Sequence, residues 1–326
     1  MNTLEIILDL KKLKVITLNY KKKFSIIIPV YYNEENLPYT IPRLQKLSNM
    51  LDFNVEFIFI DDGSMDNSLK LLLNYRESDS RIKIIKLSKN VGSMSAIQAG
   101  ISFAQGDCIG IISADLQDPP ELFIEMINEW NNGKKVVMAV REDREEGFLQ
   151  KLFSNTYYFM MDKFAIKGYP KGGFDFVLID KQVATEINNI KEKNTNIMSL
   201  IFWLGYEKTY VYYVRKKREH GTSKWTFSKK IKLFIDSFIA FSYMPIRLIS
   251  FLGIVMATIG FIYGLLAVIN RFLNSTVIEG WTAIIVILTV RSGLIMIRLG
   301  IIGEYVWRIL DETRKRPSYL IDEIYK

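Results

Sequence analysis

A chain of 326 residues with a single cysteine and a single histidine cannot form an internal disulfide, and Ser-His-Asp triads or histidine-rich zinc sites are not plausible for it. Its 49% hydrophobic content allows a soluble domain of ordinary size and leaves an apolar excess that points to a membrane segment. The formal net charge of +8 is read as attraction to anionic lipid headgroups, with no nucleic-acid partner, because basic residues border the apolar segments.

Residues 1–23 read as an N-terminal extension or surface helix. Acids and lysines interrupt their apolar residues, unlike the unbroken core of a secretory signal. From Phe24 onward, "FSIIIPV", "VEFIFI", "IKIIKL", "CIGIIS" and "VVMAV" are nearly all apolar, as strands buried on both faces must be. Between them lie helical spacings such as Ile97, Gly100, Ile101 and Ala104. The alternation predicts an α/β fold, a mostly parallel sheet with helices on both faces, and ligands at the carboxyl ends of the strands.

Three of those ends carry acids. Pro29 is expected to end the first ladder, leaving Asn33 and Glu34 in a loop. The second strand ends in "DDGSMD", where the adjacent Asp61 and Asp62 are costly to bring together without a shared cation or donor. Asp62 and Asp66 read equally well as turn and helix-cap residues. In "SADLQDPPE", Asp115, Gln117 and Asp118 offer hard oxygen atoms suited to Mg²⁺ or Mn²⁺, and Pro119 and Pro120 open a helix with Glu121 in its first turn. A helix-opening turn alone is the plainer reading of that stretch, and three acidic loops at successive strand ends argue against it.

Residues 141–224 are mixed, with a helix expected at Leu149–Phe164, a Gly-rich turn at "KGGFDF", further helix and a β-rich "KTYVYYV". Arg141 and Arg144 follow the fifth strand, and Arg215, Arg218 and Lys224 bracket "EHGTS". These cations suit phosphate oxygens, the alternative being a solvated basic face.

Residues 225–244 place Phe227, Ile231, Phe234, Ile235, Phe238 and Phe241 at helical spacing, which predicts an interfacial amphipathic helix; a core helix on the sheet is the alternative. Residues 245–303 are expected to form a transmembrane hairpin, spanning about 247–269 and 281–302. The second span carries Arg291 and Arg298, which are compatible with pairing in a homo-oligomer. Cations flank the hairpin outside the short connection, placing the catalytic domain, both termini and a tail at 304–326 in the cytoplasm.

"IIIPVYYNEENL", "FIDDGSMDNS", "LSKNVGSMSAIQAG", "SADLQDPPE", "GGFDF", "RKKREHGTSKW" and "LGIIGEYVWRILDETRKRP" follow one another in order. Together they resemble glycosyltransferase family 2, and within it the membrane-anchored polyprenyl-phosphate glycosyltransferases of the bactoprenol glucosyltransferase and dolichol-phosphate mannosyltransferase group. The resemblance implies a glycosyltransferase A-type nucleotide-binding domain over residues 24–224. It implies inverting transfer of one sugar, UDP-linked glucose foremost, to undecaprenyl or another polyprenyl phosphate. Pro29, Tyr31, Glu34, Asp61 and Asp62 would line the nucleotide-sugar pocket. Asp115 and Gln117 would hold Mg²⁺ or Mn²⁺. Ser113 stands where the family commonly has the first acid of Asp-x-Asp, which implies a less charged site. Asp175 matches the acid the family places near the acceptor and, with Asp115, is the expected catalytic residue. Two other functions stay open: transfer to a glycan or other non-lipid acceptor, and nucleotide-sugar binding without turnover.

Overall fold

The structure, a computed structural model, describes residues 21–115, 117–141, 155–170, 173–190, 192, 196–214, 236, 241–242, 244–273 and 280–326. In chain order these give β1 (Lys23–Val30), α1 (Leu37–Met50), β2 (Asn54–Asp61), α2 (Ser68–Ser78), β3 (Ile82–Leu87), α3 (Ser93–Phe103), β4 (Cys108–Ile111), α4 (Leu122–Asn131) and β5 (Val136–Arg141). A helical stretch at 155–165 ends in a π-turn, and β6 (Phe176–Asp180), α5 (Lys181–Asn189), α6 (Ile197–Trp203) and β7 (Lys208–Tyr213) follow. Then come α7 (Met244–Leu273), α8 (Trp281–Thr313) and β8 (Ile321–Tyr325).

The strands form one sheet in the order β7, β5, β6, β4, β1, β2, β3, β8, parallel except where β6 and β8 oppose their neighbours. Successive side chains point to opposite faces, so an apolar run feeds two cores at once. Ile27, Ile58, Ile60, Ile109 and Met138 share one cluster with residues of α3, α5 and α6. Phe24, Ile26, Ile28, Phe57 and Phe59 share the other with residues of α1, α2 and α4. Each such burial is worth about 1.5–3 kcal/mol, and the β-branched side chains of segments such as "SIII" add a preference for strand over helix.

Three local outcomes differ from the sequence reading. Pro29 does not end β1: it pairs in register with Ile60, and Val30 continues the ladder. The β4 side of β1 is paired only as far as Ile27 with Ile111, so the missing Pro29 N–H deprives no partner there. "FDF" belongs to more than a turn, since Phe176–Asp180 enters the sheet antiparallel between β4 and β5. Residues 304–326 are not simply a tail, because α8 continues to Thr313 and β8 then adds an edge strand to β3.

The β8 return is anchored by side chains as well as by the ladder. Asp322 pairs with Lys86 at 2.6 Å, Tyr319 Oη lies 3.1 Å from Ser102 Oγ, and Ser318 Oγ donates to Gln98 Oε1 at 3.0 Å. Deleting residues 317–326 would expose the β3 edge to other chains. The expected result is a thermal midpoint lower by about 5–10 °C and concentration-dependent aggregation, read by thermal unfolding and light scattering.

The buried Glu56, near the amino end of β2, is structural. Glu56 accepts from Ser25 Oγ at 2.5 Å, Lys83 Nζ at 2.6 Å, Lys23 Nζ at 2.9 Å and the Gln105 amide at 2.8 Å. Burial alone would raise its pKa, and these four donors outweigh it and hold the carboxyl below its usual range.

Among the described residues one stretch, Ile246–Tyr263 within α7, is long and apolar enough to cross a membrane, with a mean hydropathy of 2.0. Its Phe251, Ile254 and Phe261 are exposed. Phe241 and Met244, at its start, pack on the same core cluster as α6. Arg298 of α8 lies against Gly253 of α7, where a side chain would collide with the guanidinium. Lower on α8, Arg308 pairs with Asp236 at 2.7 Å. Of the amphipathic segment expected at 225–244, residues 225–235, 237–240 and 243 lie outside the described residues.

Candidate active site

The carboxyl ends of β1, β2, β4, β5 and β7 share one edge of the sheet with the start of the antiparallel β6. Between β1 and β4 the connections depart in opposite directions, the crevice where open α/β sheets take their ligands. Buried Asp61, Asp62, Asp115 and Asp118 gather at this edge, together with half-buried Pro29 and Tyr31.

The loops after β1, β2 and β3 are tied to one another by the acids read from sequence. Asp62 accepts from the amides of Val91 at 2.7 Å and Gly92 at 2.9 Å, and from Asn90 Nδ2 at 3.0 Å. Glu34 Oε2 accepts from the Asn67 amide at 2.8 Å and its Nδ2 at 3.0 Å, while Asp66 Oδ1 accepts from the Ser68 amide at 3.1 Å. Gly63 has φ of +70°, and a Cβ there would stand 2.8 Å from the Asn90 backbone nitrogen, so these loops close together only with glycine at that position. Tyr31 and Tyr32 meet edge to face at 4.6 Å. Burial, then Tyr32 and Asp62, raise the Tyr31 phenol.

Asp61 differs from these structural acids. Its Oδ1 accepts from the Ser64 amide at 3.2 Å, but its Oδ2 is buried without a hydrogen-bond partner. Burial is the main cause that holds this carboxyl above its usual range. An acid raised on folding binds protons more tightly in the folded chain, so its contribution to stability is lost as pH rises through the raised value. Asp61→Asn is therefore expected to raise the thermal midpoint at pH 7 by about 2–4 °C, with a smaller gain near pH 4, and to weaken nucleotide binding. Thermal unfolding and nucleotide titration measure the two effects.

The loop after β4 is held by α1, where Thr40 Oγ1 donates to the Ala114 carbonyl at 2.8 Å. Asp115 Oδ1 accepts from the Gln117 amide at 3.3 Å. Among the described residues no three His, Cys, Asp or Glu groups converge on one point. The donor set nevertheless fits Mg²⁺ or Mn²⁺, which commonly take one or two carboxylates and complete their shell with water and substrate phosphate. Asp115 would supply the carboxylate and Gln117 a neutral oxygen, with the Ser113 hydroxyl two residues before Asp115.

Arg141 and Asp175, expected in separate roles, form an ion pair at 2.6 Å between Nη2 and Oδ2. The Arg141 side chain is 8% exposed and that of Asp175 59%. Burial works against the Arg141 charge, but Asp175, Asp118 and Tyr213 outweigh it and hold the guanidinium above its usual range. Arg144, Arg215, Arg218 and Lys224 lie outside the described residues.

The glycosyl transferase family 2 profile matches residues 25–187, half of the chain and all of the acids just described. The chain belongs to glycosyl transferase family 2. It is 39% identical over 304 residues to the uncharacterized glycosyltransferase YkcC of Bacillus subtilis (strain 168), covering 93% of this chain and 94% of that one. It is 30% identical over 305 residues to the prophage bactoprenol glucosyl transferase homolog of Escherichia coli (strain K12), covering 93% and 100%. Among solved structures, a mannosyltransferase from Pyrobaculum calidifontis in complex with GDP-Man and Mn²⁺ aligns with a TM-score of 0.43 at 14% identity, over 62% of this chain and 59% of that one.

Tyr213, Asn90, Val91 and Gly92 adjoin the family 2 site and were not singled out from sequence. Tyr213 donates to Asp118 Oδ1 and accepts from Arg141 Nε at 3.3 Å. The signal for Tyr213 is partial: "KTYVYYV" is legible as a strand, but not that its last tyrosine pairs in register with Arg141. Asn90 and the Val91 and Gly92 amides lay within a quoted motif without an assigned task.

Proposed function

We propose that this glycosyltransferase moves one hexose from a UDP-sugar, glucose foremost, to undecaprenyl phosphate at the cytoplasmic face of the membrane. The observation that carries this reading is the 30% identity to bactoprenol glucosyl transferase relatives, which covers 93% of the chain and so extends beyond the matched family 2 domain. The exposed apolar surface of α7, which begins on the core of the catalytic domain, supports an acceptor that arrives from a bilayer. In this reading α7 and α8 form a two-span hairpin, residues 225–244 lie in the interface, and both termini are cytoplasmic. Arg298 seated on Gly253 supports protein contact over lipid exposure for that charge.

Asp61, whose buried Oδ2 lacks a hydrogen-bond partner, and Tyr31, whose phenol feels the Asp62 charge, would line the pocket for the nucleotide base. Asp115 and Gln117 would hold the divalent ion, which would neutralise charge on the departing diphosphate. A phosphate oxygen of the acceptor attacks the anomeric carbon opposite that leaving group; one C–O bond forms, one breaks, and the centre inverts. A phosphate monoester has a second pKa of about 6, so at neutral pH the attacking oxygen needs little deprotonation. Asp175 would orient the acceptor and stabilise positive charge on the sugar rather than remove a proton, a role its pairing with Arg141 supports.

The test offers the detergent-purified full chain undecaprenyl phosphate, Mn²⁺ or Mg²⁺ and a panel of radiolabelled nucleotide sugars. Label from a UDP-hexose entering the organic phase is the expected result. Label that stays in water on a glycan, or nucleotide bound with no turnover, would overturn it.

A further inference from the structure

Four side chains at the strand ends form a single hydrogen-bonded series. Asp118 is 1% and Tyr213 6% exposed, and both lie behind Arg141 as seen from the open Asp175. Arg141 and Tyr213 are register partners at the ends of the parallel β5 and β7, so their side chains leave the sheet on the same face. The guanidinium is bound at two edges, with Nε on the Tyr213 hydroxyl and Nη2 on Asp175 Oδ2.

The chemistry of the groups fixes the direction of every bond. A guanidinium only donates and a carboxylate only accepts, while a hydroxyl has one proton to give. Tyr213 must therefore give its proton to Asp118 and turn a lone pair to Arg141 Nε–H. Burial, with Asp118 adding to it, raises the phenol well above its usual range, so this donor stays protonated. Phenylalanine would fill the same space against Phe176, whose ring lies edge-on at 6.5 Å. The hydroxyl is thus not required for packing, and a buried hydroxyl costs free energy unless it is used. On the same strand Tyr212 is 58% exposed, so only the second of the adjacent tyrosines is turned inward.

We propose that Tyr213 is a positioning residue of the transfer reaction: its hydroxyl, anchored on Asp118, sets the orientation of Arg141 and, through it, of Asp175. The proposal rests on the reading of Arg141 and Asp175 as acceptor-side groups. Asp118 lies three residues beyond Asp115, so the same series ties the diphosphate side of the site to the acceptor side. Without the Nε contact, the hydrogen bond to the exposed Asp175 is the one that remains to the guanidinium among the described residues, and the Asp118 charge attracts it without fixing its orientation.

The test compares Tyr213→Phe, Asp118→Asn, Arg141→Lys and the Tyr213→Phe/Arg141→Lys double variant as full chains in detergent. Tyr213→Phe is expected to lower kcat about tenfold and raise KM for undecaprenyl phosphate, leaving KM for the UDP-sugar unchanged. Asp118→Asn repeats that split. The double variant falls within about twofold of Arg141→Lys, because both changes act on one contact. Losses that multiply in the double variant, or Tyr213→Phe turnover equal to the parent, would overturn the proposal.

A second measurement does not need the acceptor. In protein labelled with ¹⁵N-arginine, the Arg141 Nε–H signal, assigned by its absence in Arg141→Lys, is expected to be protected from solvent exchange in the parent and to exchange rapidly in Tyr213→Phe. An unchanged signal in Tyr213→Phe would refute the contact. Loss of protection in a protein that transfers nothing to undecaprenyl phosphate would uphold the positioning contact and reject the acceptor.

Discussion

Asp115→Ala is expected to reduce sugar transfer by about 1,000-fold in kcat without lowering the thermal midpoint. The size of the effect follows from how few acids the β4 loop can commit to the diphosphate side. Ser113 offers a hydroxyl and no charge, and Asp118 is engaged by Tyr213. Asp115 is then the carboxylate on that loop best placed to hold Mg²⁺ or Mn²⁺. The fold does not depend on it, since the loop is fixed separately by Thr40. Initial rates across a Mn²⁺ titration, with thermal unfolding alongside, measure both halves of the expectation. A variant with near-parental turnover would remove Asp115 from the chemistry.

Asp175→Asn is expected to lower kcat about 100-fold, with partial recovery in Asp175→Glu. The amide removes the negative charge that meets the largely buried Arg141, and Arg141 then has a neutral acceptor in place of an ionic one. The pH profile separates orientation from proton removal. If the acceptor phosphate supplies its own dianion, the acid limb of the rate stays near pH 6 in both parent and variant. A limb present in the parent and absent in Asp175→Asn would make Asp175 a general base instead.

The parallel half of the fold was legible because strands buried on both faces spell themselves out as runs such as "FSIII" and "EFIFI". The strand-end acids were legible for the same reason, as polar residues that stop those runs. Other features depend on partners distant in sequence. Nothing in "FDFVLID" says that it inserts between β4 and β5, and nothing in "LIDEIY" says that it returns to the edge of β3 after a long apolar helix. Pro29 misled because a proline is read as the end of a ladder, whereas here the neighbouring ladder had already stopped at Ile27. Within the site, Asp61 and Asp62 look alike in sequence. The structure separates them: Asp62 is consumed by the loop after β3, and Asp61 keeps an oxygen without a partner. The ion pair of Arg141 with Asp175 was equally out of reach, since 34 residues separate them and only the placement of β6 beside β5 brings them together.

Attack by a lipid phosphate oxygen on the anomeric carbon of a nucleotide sugar leaves its signature in the product. The most direct measurement is the ³¹P spectrum and mass of the organic-phase product formed from UDP-glucose and undecaprenyl phosphate. One phosphodiester signal and a mass increase of a single hexose are expected. A diphosphate-linked product, or a lipid phosphate recovered unchanged while UDP accumulates, would contradict it.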